Sequence, residues 1–101
     1  KITLTDVATI QWSLTGSSSA QVTLTATRIL NITDAVSGDN GTIIVIQGGT
    51  GSYGLTLPAG SLVVNGGGGV ITLSTAVGSK DALSFYYDGT NYFWNIGLNY
   101  N

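Results

Sequence analysis

The stretch Asp81-Ala82-Leu83-Ser84-Phe85-Tyr86-Tyr87-Asp88-Gly89-Thr90-Asn91-Tyr92-Phe93-Trp94-Asn95-Ile96-Gly97-Leu98 decides how the chain is read. Asp88-Gly89-Thr90-Asn91 is turn chemistry, because Gly and Asn tolerate the positive φ that a tight reversal needs. With Tyr87 set opposite Tyr92, Phe85 faces Trp94 and Leu83 faces Ile96. Side chains alternate between the faces of a strand, so Leu83, Phe85, Tyr87, Tyr92, Trp94, Ile96 and Leu98 share one face. The other face carries Ser84, Tyr86, Phe93, Asn95 and Asn99. The expectation is an antiparallel hairpin with an aromatic inner face and an exposed patch at Tyr86 and Phe93.

The same period of two runs upstream. From Gln21 to Ile32, Val22, Leu24, Ala26, Leu30 and Ile32 alternate with Gln21, Thr23, Thr25, Thr27 and Asn31. That pattern predicts a strand with one buried and one wet face. Arg28 on the apolar parity and Ile29 on the polar one interrupt it, which predicts a bulge or a second packed surface. Before it, Ile10, Trp12 and Leu14 alternate with Gln11 and Ser13. The intervening Gly16-Ser17-Ser18-Ser19 predicts a hairpin between the two segments. The unbroken run Ile43-Ile44-Val45-Ile46 predicts a strand buried on both faces.

Turn signals recur after that: Gly48–Gly54, Pro58-Ala59-Gly60, and Asn65 with four glycines. They separate the short apolar segments Leu55–Leu57, Leu62–Val64 and Val70–Ser74. Glu is absent and no helical period is visible, whereas Thr, Val, Ile and Tyr, which suit a pleated surface, abound. Many short strands with frequent turns predict one all-β domain over residues 1–101, an antiparallel β-sandwich of jelly-roll type closed by the C-terminal aromatic hairpin.

Composition excludes much chemistry. The 101 residues contain no Cys, His or Met, so no disulfide, thiolate nucleophile or Ser-His-Asp triad can form. Only 8% are charged and the net charge is −2. The cations are Lys1, Arg28 and Lys80, far apart in sequence, too few to track a phosphate backbone, so nucleic acid is not an expected partner. No apolar run approaches the roughly 20 residues of a spanning helix, and no membrane insertion is expected. The initial Lys and the lack of any Met suggest a processed piece of something longer.

Candidate sites divide by chemistry. Gly49-Thr50-Gly51-Ser52-Tyr53-Gly54 has the letters of a dinucleotide fingerprint, but that motif needs a helix N-terminus after it, and here Leu55-Thr56-Leu57-Pro58 follows. Glycoside hydrolysis needs one protonated and one ionised carboxyl group across the scissile bond. The five Asp (Asp6, Asp34, Asp39, Asp81, Asp88) sit mostly in turn-like contexts. A calcium loop from Asp34 and Asp39 matches no recognised spacing. No catalytic, cofactor or metal site is therefore expected. Asn31-Ile32-Thr33 and Asn40-Gly41-Thr42 fit the glycosylation sequon, which matters only in a eukaryotic secretory route. For sugar or subunit contact the candidates are Tyr86, Phe93, Tyr53, Asn95 and Tyr100, aromatics and an amide able to stack on C–H groups and to read hydroxyls.

Three segments and the hairpin carry a resemblance: Gly41–Gln47, Leu55–Pro58, Ile71–Ala76 and Asp81–Trp94. Together they resemble β-rich domains of bacteriophage tail fibres, head fibres and other virion appendages, over about the last two-thirds of the chain. The resemblance implies a β-sandwich, commonly a homotrimer, attached to a virion among other virion proteins. It supplies no catalytic set, and the expected function is a non-enzymatic structural or capsid-decoration role, with weak adhesion to host-surface glycan as a further expectation. A surface with few charges also leaves strand edges unguarded, which favours burial by another copy. The alternative expectation is a carbohydrate-binding module of a secreted, extracellular bacterial protein.

Overall fold

A computed structural model describes residues 1–63 and 71–100. The regular elements among them are all β-strands: β1 (Ile2–Thr3), β2 (Thr9–Ser13), β3 (Ser19–Leu24), β4 (Arg28–Thr33), β5 (Asn40–Gln47), β6 (Leu55–Thr56), β7 (Ser61–Val63), β8 (Lys80–Tyr87) and β9 (Tyr92–Tyr100). They form a six-stranded sheet, β1-β3-β5-β8-β9-β7, and a three-stranded sheet, β2-β4-β6. Through β6 the chain crosses from one sheet to the other at each step, so successive visits to a sheet lie parallel. Ile2 pairs with Ala20 and Ala20 with Ile43 in the larger sheet. Ile10 pairs with Leu30, and Ile29 with Thr56, in the smaller.

The burial pattern explains this winding course. Ile10, Trp12, Leu30, Ile32 and Leu55 point inward from the three-stranded sheet, and Ala20, Val22, Leu24, Ile43, Val45, Leu83, Phe85, Tyr92 and Trp94 from the six-stranded one. Neither set could leave water alone, and together they make one core. Full burial of each Leu, Ile or Val contributes roughly 1.5–3 kcal/mol. Trp12 meets Phe85 edge to face across the two sheets at 5.6 Å, and its indole Nε1–H donates to the Ser17 carbonyl at 2.8 Å.

The all-β expectation is met, but the antiparallel one is corrected. Of the seven strand pairings among the described residues, five are parallel and two, β5–β8 and β8–β9, are antiparallel. Jelly rolls are built of antiparallel strands, and the wholly parallel smaller sheet departs from that pattern. The expected hairpin across Gly16–Ser19 is also absent. β2 and β3 belong to different sheets, and the turn opened by Gly16 N–H donating to the Ser13 carbonyl (3.1 Å) begins the passage from one sheet to the other.

The long strand predicted over Gln21–Ile32 is two strands, β3 and β4, broken at Thr25–Thr27. Arg28 marks the break: its guanidinium binds Asp6, and the chain changes sheet there. Ile43 and Val45 are buried, but Ile44 and Ile46 are only half-buried, so β5 has one core face rather than two. The strand expected at Val70–Ser74 is not formed at residues 71–74, although Leu73 is buried. Val64, Asn65–Gly69 and Val70 lie outside the described residues.

The C-terminal hairpin forms in the predicted register, with Tyr87 opposite Tyr92, Phe85 opposite Trp94 and Leu83 opposite Ile96. Asp88 Oδ1 accepts the backbone N–H groups of Thr90 (2.9 Å) and Asn91 (2.7 Å), which closes the turn. Leu98 departs from expectation and is 50% exposed. A register shift between Lys80 and Ala82, with Asn99 at φ 59°, takes the end of β9 off the inner face. Buried Asp81 fills the irregularity, accepting the N–H of Asn99 at 2.8 Å and of Ser74 at 2.7 Å.

Candidate functional site

The pairing that buries Phe85 and Trp94 turns their neighbours outward. Tyr86 lies opposite Phe93 on β9 and opposite Asn40 on β5, and Phe93 lies opposite Leu62 on β7. One row of residues, Asn40–Tyr86–Phe93–Leu62, thus crosses four strands on the outer face of the larger sheet. Tyr86 is 50% exposed, Phe93 45% and Leu62 41%. The next row holds Thr42, Ser84 and Asn95. Neither row contains a charged residue.

Two shallow depressions flank Phe93. One, of about 330 Å³, is lined by Ser84, Phe85, Tyr86, Phe93, Trp94 and Asn95. The other, of about 240 Å³, is lined by Leu62, Val63, Phe93 and Trp94. The floor is stiff: Trp94 is pinned from below by its Nε1–H, which donates to Ser61 Oγ at 2.9 Å, and by Phe85, 5.1 Å away ring to ring. Thr42 Oγ1 and Ser84 Oγ lie 3.1 Å apart, within hydrogen-bond distance. Asn40, Tyr86 and Asn95 are all exposed, so the hydroxyl and the two side-chain amides are accessible from solvent.

Of the five residues singled out in the sequence, the structure brings three together: Tyr86, Phe93 and Asn95. Tyr53 lies in the Gly48–Gly54 loop. Its backbone N–H and carbonyl are both held by the buried Gln47 amide, at 3.1 and 2.7 Å. Its hydroxyl is held by the Thr50 side chain and N–H, each at 3.2 Å, and these bonds keep its pKa below the usual tyrosine value. Tyr100 is 59% exposed at the far end of β9, opposite Lys80. Sequence reasoning missed Leu62 and Asn40 as members of the row. Their places depend on which strands adjoin β8 and β9, and period-two alternation is silent on that.

Elsewhere the polar clusters serve the scaffold. Asp6 Oδ1 takes the Arg28 Nε–H at 2.8 Å, and its Oδ2 takes Arg28 Nη2 at 3.3 Å and the Thr25 N–H at 3.1 Å. Both side chains of the ion pair are 19% exposed. The guanidinium, more than the Thr25 bonds, holds the Asp6 carboxyl below the usual range. Asp34 accepts from Ser13 and Thr33, while Asp39 accepts the Val36 N–H, so the two acids serve different turns. Among the described residues, no three acidic groups converge as metal ligands would. Gly49–Gly54 leads into β6 and not into a helix. Comparison of the chain with known protein families, curated proteins and solved structures gives no match.

Proposed function

We propose that this chain is a non-enzymatic structural domain of a virion appendage, a fibre or decoration knob that associates with copies of itself and displays an adhesive face. In this reading the two sheets are the layers of a sandwich, and the outer face of the larger one is the displayed surface. The observation that carries the reading is β2. It is an edge strand of five residues, Thr9–Ser13, with neither a charge nor a proline to block further pairing. Natural sheets blunt such edges or cover them, and a second copy is the cover that a homo-oligomer supplies.

Composition supports the same reading. With 8% charged residues the surface is built largely of Thr, Ser, Asn and Gly, and close approach of identical copies brings little like-charge repulsion. The resemblance of Asp81–Trp94 and the upstream segments to phage appendage domains gives the setting, and three copies would match the assemblies usual there. Multivalent display then raises the avidity of a weak single contact. The test is the solution mass by light scattering over a range of concentrations. A species of three chains of 10.4 kDa is expected. A mass of one chain at every concentration overturns the assembly reading.

A further inference from the structure

We infer that the Tyr86–Phe93 shelf binds an uncharged pyranose oligosaccharide laid across strands β8, β9 and β7; this names the ligand of the displayed face and rests on the display reading above. The argument starts from the two rings. They occupy a cross-strand pair, so their Cβ atoms lie roughly 4.5–5.5 Å apart, and both are about half exposed. An aromatic ring has a flat face with negative quadrupole, to which the C–H face of a sugar ring is complementary. Phe93 separates two depressions, one toward Tyr86 and one toward Leu62. A chain of sugar units can therefore set consecutive rings on either side of it.

The polar groups beside the rings fit the same ligand. The Tyr86 hydroxyl and the Asn95 and Asn40 amides each offer donor and acceptor capacity, and the Thr42–Ser84 hydroxyl pair adds more in the adjoining row. Neutral donors and acceptors that can act in either sense match sugar hydroxyls, which do the same. An anionic ligand would call for Lys or Arg. Yet Arg28 is engaged by Asp6 on the other sheet, and Lys80 stands at the far end of β8 from Tyr86. Asn40 and the Thr42–Ser84–Asn95 row border the two rings directly, so a ligand lying here meets neutral polar groups beside the apolar ones.

The test is affinity electrophoresis of the whole chain in native gels containing a neutral polysaccharide: hydroxyethyl cellulose, xylan, galactomannan or yeast mannan. Retardation in at least one gel is expected. Phe93→Ala and Tyr86→Ala should each weaken it about tenfold, the loss of one stacking contact, while Phe93→Tyr and Ile29→Ser, a change at a half-exposed position on β4 of the other sheet, retain it. Melting curves of the variants check that folding is intact, as it should be for side chains this exposed. Absence of retardation in all four gels overturns the inference, and so does retardation that Phe93→Ala leaves unchanged. Loss of the oligomer in Phe93→Ala would also overturn it, by making a second copy the occupant. A wild-type chain that is monomeric yet retarded sinks the assembly reading alone and leaves this one standing.

Discussion

Trp12 and Phe85 are 73 positions apart in the chain, yet their rings meet edge to face at 5.6 Å and join the two sheets. Trp12 has no exposed surface and Phe85 is 3% exposed. Phe85 also contacts Tyr92 at 5.3 Å and Trp94 at 5.1 Å, so one ring gathers the hairpin and a residue of the smaller sheet. Trp12→Ala should cost about 3–5 kcal/mol, from lost burial and the cavity it leaves. The same change frees the Ser17 carbonyl that the indole N–H satisfies. Urea titration of the variant against the parent measures the cost, and a loss below about 1 kcal/mol would mean the sheets do not depend on this contact.

Gly41 sits directly against that ring. A methyl group at position 41 would stand 2.8 Å from Phe85 Cε2 and 3.0 Å from the Ser18 carbonyl oxygen, closer than packing allows. Gly41→Ala should therefore destabilise by about 1–3 kcal/mol, the range for overpacking a tight site. In a Phe85→Leu background the same substitution should cost less, because the shorter side chain vacates the space. A double-mutant cycle by thermal or urea unfolding reads this coupling, and additive effects would count against the contact.

Asp6 ties the first crossing between sheets to the break between β3 and β4. Its folded pKa lies below the ordinary aspartate value, first because of the Arg28 bond. A carboxyl group depressed in the folded state stabilises above its unfolded pKa and loses that contribution as pH falls through the folded value. Asp88 shifts in the same direction through the Asn91 and Thr90 N–H bonds, so the chain as a whole should weaken in acid. Comparison with Asp6→Asn isolates the Asp6 share, since Asp88 is common to both proteins. The variant should be less stable by on the order of 1–2 kcal/mol at pH 7, and the gap should close as pH drops below 3.8. A gap independent of pH would show that charge is not the source.

Local chemistry made some of this architecture readable and hid the rest. The register of β8 and β9 from Tyr87–Tyr92 to Leu83–Ile96 was legible because Asp88–Asn91 fixes the turn and the apolar parity then fixes the pairs, but the shift between Lys80 and Ala82 that exposes Leu98 was not. The inward faces of β2, β3 and β4 were legible for the same reason. Strand direction was not. Alternation tells which face Ile10 or Val22 presents, but a serine-rich segment such as Gly16–Ser19 serves equally as a hairpin turn or as a passage between two sheets. Arg28 carried the one local hint, since a cation on the apolar parity needs a partner, and that partner, Asp6, lies 22 residues upstream. Within the candidate site, Tyr86, Phe93 and Asn95 followed from the hairpin alone. Leu62 and Asn40 arrive on strands whose pairing is set by the winding of the whole chain.

That winding bears on how the molecule assembles in time. Among the described strands, only β8 and β9 are both consecutive in sequence and paired, across a four-residue reversal. Every parallel ladder must first close a loop, as when Ala20 waits for Ile43 or Ile10 for Leu30. Loop closure is an entropic toll levied before any ladder bond repays it, and chains dominated by distant pairings fold in milliseconds to seconds. The aromatic hairpin is therefore the natural early template, and the N-terminal circuits are late arrivals laid against it.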